Sequence, residues 1–177
     1  MLTLPLPSFM KIARILAAVL LVCASMSVVH AEEENVAAFE QRLSEAVSGK
    51  GVTVVHLWAT WCPNCWNEHD DNGWKNFIEA NPEVKVIFVS IWGSKEHDHA
   101  ELAKYDLGEQ SNLEIWRHPN QARRGSERMV TLLGKEVTWI PTTWVYREGK
   151  QRFAINYGEV RFDMLQQMVD DSRPGQW

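Results

Sequence analysis

Val54-Val55-His56-Leu57-Trp58-Ala59-Thr60-Trp61-Cys62-Pro63-Asn64-Cys65 is the stretch on which the fold turns. Its first half, with Val52-Thr53 before it, is β-branched and apolar without a break, which is the pattern of a strand buried on both faces. Ala59-Thr60-Trp61 then connects the strand to a helix expected to open at Cys62 and run to about Glu79, with Asn81-Pro82 ending it. Pro63 suits the first helical turn, where its missing N–H is no loss. Cys65 lies one turn beyond Cys62 and faces the same side. Backbone N–H groups at a helix start are unpaired and the dipole end is positive, so a thiolate is favoured there. Cys62 is therefore expected to have a lowered pKa and to act as the attacking sulfur, with Cys65 resolving the mixed disulfide.

The spacing itself argues for chemistry rather than stapling. A disulfide stabilises more when it closes a longer loop, and two intervening residues make a very short one. A tetrahedral zinc site would need two more ligands in a comparable pairing. His69, His97 and His99 supply no second Cys-x-x-Cys-like pair, and His97-Asp98-His99 reads as a solvated helix start. Haem attachment would need His directly after Cys65, where Trp66 stands. No metal and no cofactor are expected.

Outward from the motif, Asn35 to Lys50 shows helical spacing, with Val36, Phe39, Leu43 and Val47 on one face. Val84 to Ile91 is a second buried strand, expected parallel to the first across a βαβ unit. Gly73 is a point where the intervening helix could kink. His97–Leu107 reads as a short helix, Leu113–Trp116 as a strand and Gln121–Leu133 as a helix capped by Gly134. Arg123 and Arg124 in that stretch read as surface charge. Thr142–Tyr146 and Arg152–Asn156 form a hairpin across Arg147-Glu148-Gly149-Lys150. Val160 to Val169 closes the fold, with Phe162, Leu165 and Val169 inward, and the tail from Ser172 reads as loose. The fold class is α/β, a central mixed sheet flanked by helices.

Residues 1–31 read as a secretory signal peptide. Lys11 and Arg14 precede an uncharged run from Ile15 to Val29, Val29-His30-Ala31 has the compact residues a signal peptidase reads, and Glu32-Glu33-Glu34 follows. The run is shorter than the ~20 apolar residues of a membrane span, so cleavage is favoured over an anchor. Met10-Lys11 makes a more typical start than Met1. Cys23 leaves with the leader, and residues 32–177 form one domain with a core of about 36–170. The formal net charge is −5, and it grows more negative by two once Lys11 and Arg14 are removed. An acidic surface argues against nucleic acid and anionic lipid as partners.

The motif resembles the active-site segment of the thioredoxin superfamily. Its Trp-Ala-Thr-Trp-Cys-Pro-x-Cys form, followed by Glu68, is most similar to the exported TlpA/ResA/CcmG-like branch. Ile140-Pro141-Thr142-Thr143-Trp144-Val145-Tyr146, Glu148-Gly149-Lys150 and Gly158 form a second matching segment. The resemblance implies a thioredoxin fold with an insertion, residues 94–133, before a strand that begins at a cis-proline, Pro141. It implies that Ile140 and Pro141 lie against the cysteines and offer backbone to substrate, with Trp61, Pro63 and Asn64 flanking them. It also implies that Glu68 tunes the thiols and passes protons. Thioredoxin itself has a buried acid where this chain has His56, so Glu68 becomes the candidate for proton handling, and His56 either assists it or is a satisfied core residue. Trp66 and Trp74 read as packing. The activity implied is extracytoplasmic thiol–disulfide exchange, in the reducing direction and with apocytochrome c among the possible targets. The partners are exported protein thiols and disulfides and a membrane thiol donor, and the chain is expected to be a monomer. A disulfide oxidase or isomerase, and a non-catalytic thioredoxin-like binding module, remain alternatives.

Overall fold

The structure, a computed structural model, describes residues 35–94, 97–156 and 158–175. The signal-peptide reading of residues 1–31, with Cys23, lies outside the described residues. Among those described, no helix is long and apolar enough to cross a membrane.

Asn35 caps helix α1, Val36–Val47, by accepting from the Ala38 N–H. Phe39, Leu43 and Val47 are buried as expected, but Val36 stands 41% exposed at the first turn. Strand β1, Val52–Trp58, is buried at every position. It sits at the centre of a five-stranded sheet, flanked on one side by Lys85–Ser90 and then Leu113–Arg117 and on the other by Thr142–Arg147 and then Lys150–Ile155. β2, Lys85–Ser90, pairs with it in parallel, and β3, Leu113–Arg117, pairs in parallel with β2. β6, Thr142–Arg147, and β7, Lys150–Ile155, add antiparallel strands on the other side. The period-2 alternation of β1 sorts the core into two layers. Val52, Val54 and Trp58 face the layer that holds Trp74, Ile78, Leu165 and Val169. Val55 and Leu57 face the layer of Phe39, Leu43, Val47 and Trp144.

The helix expected from Cys62 to Glu79 is broken in two. α2 covers only Pro63–Asn67, a 3₁₀ turn follows at Asp70–Asn72, and α3 runs Gly73–Ala80. Asp71 and Asn72 take left-handed backbone, φ 53° and 57°, which no continuous right-handed helix tolerates. Gly73 restarts the helix because nothing larger fits. A Cβ there would lie 2.2 Å from Phe162 Cε2 and 2.7 Å from the Glu68 carbonyl oxygen.

The second difference lies before the proline strand. α4 is shorter than expected, Asp98–Ala103. Gln121–Leu133 is not a helix but a loop ending in a small hairpin, β4 Thr131–Leu132 with β5 Lys135–Glu136. Its turn residues Leu133 and Gly134 both have positive φ, so Gly134 serves a hairpin turn rather than a helix cap. Side chains hold the loop in place of a helical ladder. The Gln121 amide accepts from Gly93 N–H and Ser94 N–H and donates to the carbonyls of Ser90 and His118. Asn120 Nδ2 donates to Glu127 O, and Trp92 Nε1 donates to Met129 O.

α5, Phe162–Ser172, closes the fold with Leu165 and Val169 buried. Ser172 ends it fully buried, and Arg173 bonds Asp170 and Glu83, so the tail is tied down as far as Arg173 rather than loose from Ser172. Asp98 is also not a solvated helix start. It is 3% exposed, accepts from the Ser90 hydroxyl and pairs with Arg117 at 3.3 Å.

Candidate active site

β1 delivers Cys62 to the end of the sheet. The residue sits just before α2 with extended backbone, φ −90° and ψ 110°, and Pro63 takes the first helical position. Its sulfur accepts from the Cys65 N–H at 3.4 Å. The Cys62 thiol lies 3.7 Å from the carbonyl oxygen of Ile140, and the Ile140–Pro141 bond is cis. Sheet pairing explains how residues 78 positions apart meet. β6 runs antiparallel beside β1, so the start of β6 lies at the end of β1, with Thr142 opposite Leu57.

The surroundings push the two thiols in opposite directions. A hydrogen bond from the Cys65 thiol lowers the pKa of Cys62, helped by the N–H groups of Cys65 and Asn64 and opposed by burial and by the Glu68 charge. Cys65 is fully buried, and burial first, then Cys62, push its pKa far up. The expected effect at Cys62 is therefore present, but its source is three close donors rather than a long helix dipole, because α2 is five residues long.

Glu68 is buried behind the pair, 3% exposed, rather than solvated on a helix face. Its Oε1 accepts from the Val160 N–H at 2.7 Å, and its Oε2 accepts from Trp74 Nε1 at 3.1 Å. His56 Nε2 lies 3.1 Å from Oε2, and His56 Nδ1 lies 2.9 Å from the Thr143 hydroxyl. A hydroxyl both donates and accepts, so Thr143 satisfies Nδ1 in either protonation state. His56 is thus both a satisfied core residue and a direct partner of Glu68. Trp74 bonds Glu68 besides packing, and Trp66 donates to Thr60 O and stacks on Tyr105.

The remaining flanking residues line a groove of about 520 Å³ that opens over Cys62. Trp61, Pro63, Asn64, Ile140 and Gly158 belong to it, and so do Arg123, Arg124 and Arg128. In the sequence Arg123 and Arg124 read only as surface charge and Arg128 carries no signal, because a helix over 121–133 gives no link to the motif. Trp61 donates to Trp92 O at 2.6 Å. Among the described residues, no three of His, Cys, Asp and Glu gather as a metal site.

Residues 39–173 match the family defined by the thioredoxin-like domain. The chain belongs to the thioredoxin-like family. Its solved relatives carry the same fold at low identity. A secreted disulfide oxidoreductase of Mycobacterium tuberculosis, homologous to E. coli DsbE, superposes with a TM-score of 0.52 at 22% identity, covering 71% of this chain and 84% of its own. DsbF of M. tuberculosis gives 0.53 at 18%, covering 70% and 82%. A thioredoxin-family thiol:disulfide interchange protein of Chlorobium tepidum gives 0.51 at 16%, covering 73% and 83%. No curated protein sequence matches the chain.

Proposed function

We propose that this thioredoxin-like chain is a thiol–disulfide oxidoreductase acting outside the cytoplasm, and that it reduces disulfides of exported proteins through Cys62 and Cys65. The observation that carries this reading is the asymmetry of the two thiols. Cys62 is 4% exposed, lines a groove and is lowered in pKa, and Cys65 is wholly buried and raised. The Cys62 thiolate attacks one sulfur of a substrate disulfide. The substrate S–S bond breaks, a Cys62–substrate disulfide forms, and the released thiolate takes up a proton. Cys65 then loses its proton and attacks Cys62. The second substrate thiol leaves, and the Cys62–Cys65 disulfide holds the two-electron oxidation. Glu68, backed by His56, is the group we assign to accept the Cys65 proton. Return to the dithiol requires an external thiol reductant, for which a membrane thiol donor is proposed.

The extracytoplasmic setting rests on the leader-like residues 1–31 and on the secreted M. tuberculosis relative. The reducing direction, and apocytochrome c as one target, rest on the likeness of the motif to the TlpA/ResA/CcmG-like branch. One observation favours the opposite direction. A stabilised Cys62 thiolate stabilises the dithiol form, which by itself makes the pair a better disulfide donor. Equilibration with glutathione separates the two. A potential towards about −270 mV supports the reductant, and one towards about −120 mV supports the donor.

Cys65→Ser tests the assigned roles. The variant keeps the attacking sulfur and loses the resolving one, so it should accumulate mixed disulfides with native targets on Cys62, visible by mass spectrometry. Adducts that are absent, or that sit elsewhere, would remove the assignment.

A further inference from the structure

The loop between β3 and β4 brings three arginines to the rim of the redox groove of a chain that is acidic overall. Arg123 lies over the Trp61 ring, with its guanidinium carbon 3.7 Å from the ring centroid, directly beside Cys62. Arg128 lies over Trp92 at 3.7 Å and donates to Thr138 O. Arg123 and Arg124 are exposed, and among the described residues neither makes a salt bridge with a carboxylate. A guanidinium held over an indole by its charge still has N–H donors to offer a carboxylate. The loop is fixed before any ligand arrives, by Gln121, Asn120 and Trp92, and Ser94 Oγ ties the adjoining segment to the Thr60 N–H of the motif loop. Trp139, 58% exposed, adds apolar surface to the same groove. Nearby negative charge comes from Glu127 in the loop and from Glu159, which accepts from Asn67.

From this geometry we infer that the groove selects substrate segments in which Asp or Glu flanks the target cysteine, with Arg123 and Arg124 as the residues that read the charge. The inference rests on the thiol–disulfide reading above and names its substrate class. A positive rim on a negative molecule concentrates field at the entrance to Cys62 and repels basic segments, so the selection acts mainly on the rate of encounter.

The test uses the reduced full chain and two peptides, each carrying one cysteine capped as a mixed disulfide with 2-mercaptoethanol. One peptide has Asp and Glu around the cysteine, and the other has Ser and Gln. The second-order rate for the acidic peptide should exceed that for the neutral one by about ten-fold at low salt, and the ratio should shrink as salt screens the field. In Arg123→Gln/Arg124→Gln the ratio should fall towards one. Lys150→Gln, at the opposite end of the sheet in the β6–β7 hairpin, should keep the wild-type ratio. Equal rates in the wild type, or a ratio unchanged in the double variant, would overturn the proposal. An arginine-dependent advantage for glutathione disulfide without one for the acidic peptide would overturn it too, reassigning the rim to a small anionic thiol. Bis(2-hydroxyethyl) disulfide, which is neutral, separates the two levels. If it is reduced while the peptides show no charge preference, only the docking inference falls. If neither it nor the peptides react, the oxidoreductase reading falls as well.

Discussion

Cys62 and Cys65 sit one helical turn apart, yet their surroundings push their thiols in opposite directions. Close donors lower Cys62, and an apolar cage raises Cys65. Glu68 raises both through its charge, so it sets a ceiling on how far Cys62 can fall. Glu68→Gln removes that charge and keeps an amide oxygen for the Val160 N–H. The expected result is a lower titration midpoint for Cys62, read from the pH dependence of its alkylation rate. An unchanged or raised midpoint would show that Glu68 does not act on the thiols through charge. The sequence leaves His56 between two readings, a helper of Glu68 or a satisfied core residue, and the structure makes it both. Its contact with Glu68 joins positions in two different elements, and no local spacing reveals that.

At the scale of elements, the break between α2 and α3 is what places Glu68. A single helix through residue 79 would hold the side chains at i, i+3 and i+4 in one continuous row. The left-handed pair Asp71 and Asn72 re-aims the chain instead, and Gly73 lets α3 and α5 meet with Phe162 against its backbone. Phe162 also meets Trp74 edge-on, with centroids 5.3 Å apart, and Trp74 bonds Glu68. Gly73→Ala should therefore cost about 2–3 kcal/mol, in the range of other overpacked sites, measured by urea unfolding of the reduced protein. Gly49→Ala, where an added methyl meets nothing within 4 Å, is the control and should lie near neutral. A Gly73→Ala variant as stable as the wild type would mean that α3 and α5 adjust freely. The Gln121–Leu133 loop makes the same point about elements. Its apolar residues Met129 and Leu132 are buried, but the side-chain bonds of Asn120 and Gln121 replace the backbone ladder a helix would need.

For the whole molecule, the buried aromatic layer behind the site makes stability depend on pH. His69 is 4% exposed, stacked on Tyr105 at 4.7 Å, and its pKa is lowered to about 4 by burial first and by His56 second. The unfolded chain binds a proton near the ordinary histidine value of ~6.5, and the folded chain resists it. Between those values the unfolded state holds more protons, so stability falls as pH drops from about 6.5 towards 4, by up to about 3 kcal/mol from this group. Carboxylates add their own acid dependence, so the informative quantity is the difference from His69→Gln. The stability gap between wild type and variant should narrow as pH falls from 7 to 4.5. A gap that stays constant would show that His69 titrates normally in the fold.

The fold class, the central strand, the placement of the cysteine pair just after that strand and the proline strand were all legible in the sequence, because each rests on a short motif. An unbroken β-branched run, a Cys-Pro-x-Cys spacing and the Ile140-Pro141-Thr142-Thr143 segment are short and self-contained. The tertiary structure alone decided what surrounds the pair. It broke the helix after Asn67, buried Glu68 against His56, Trp74 and Val160, and turned residues 121–133 into a loop that brings arginines to the groove lined by Cys62. Those outcomes depend on contacts between residues as many as 92 positions apart. Contacts of that range are set by how the layers pack, and packing overrides local propensity wherever the propensity is weak.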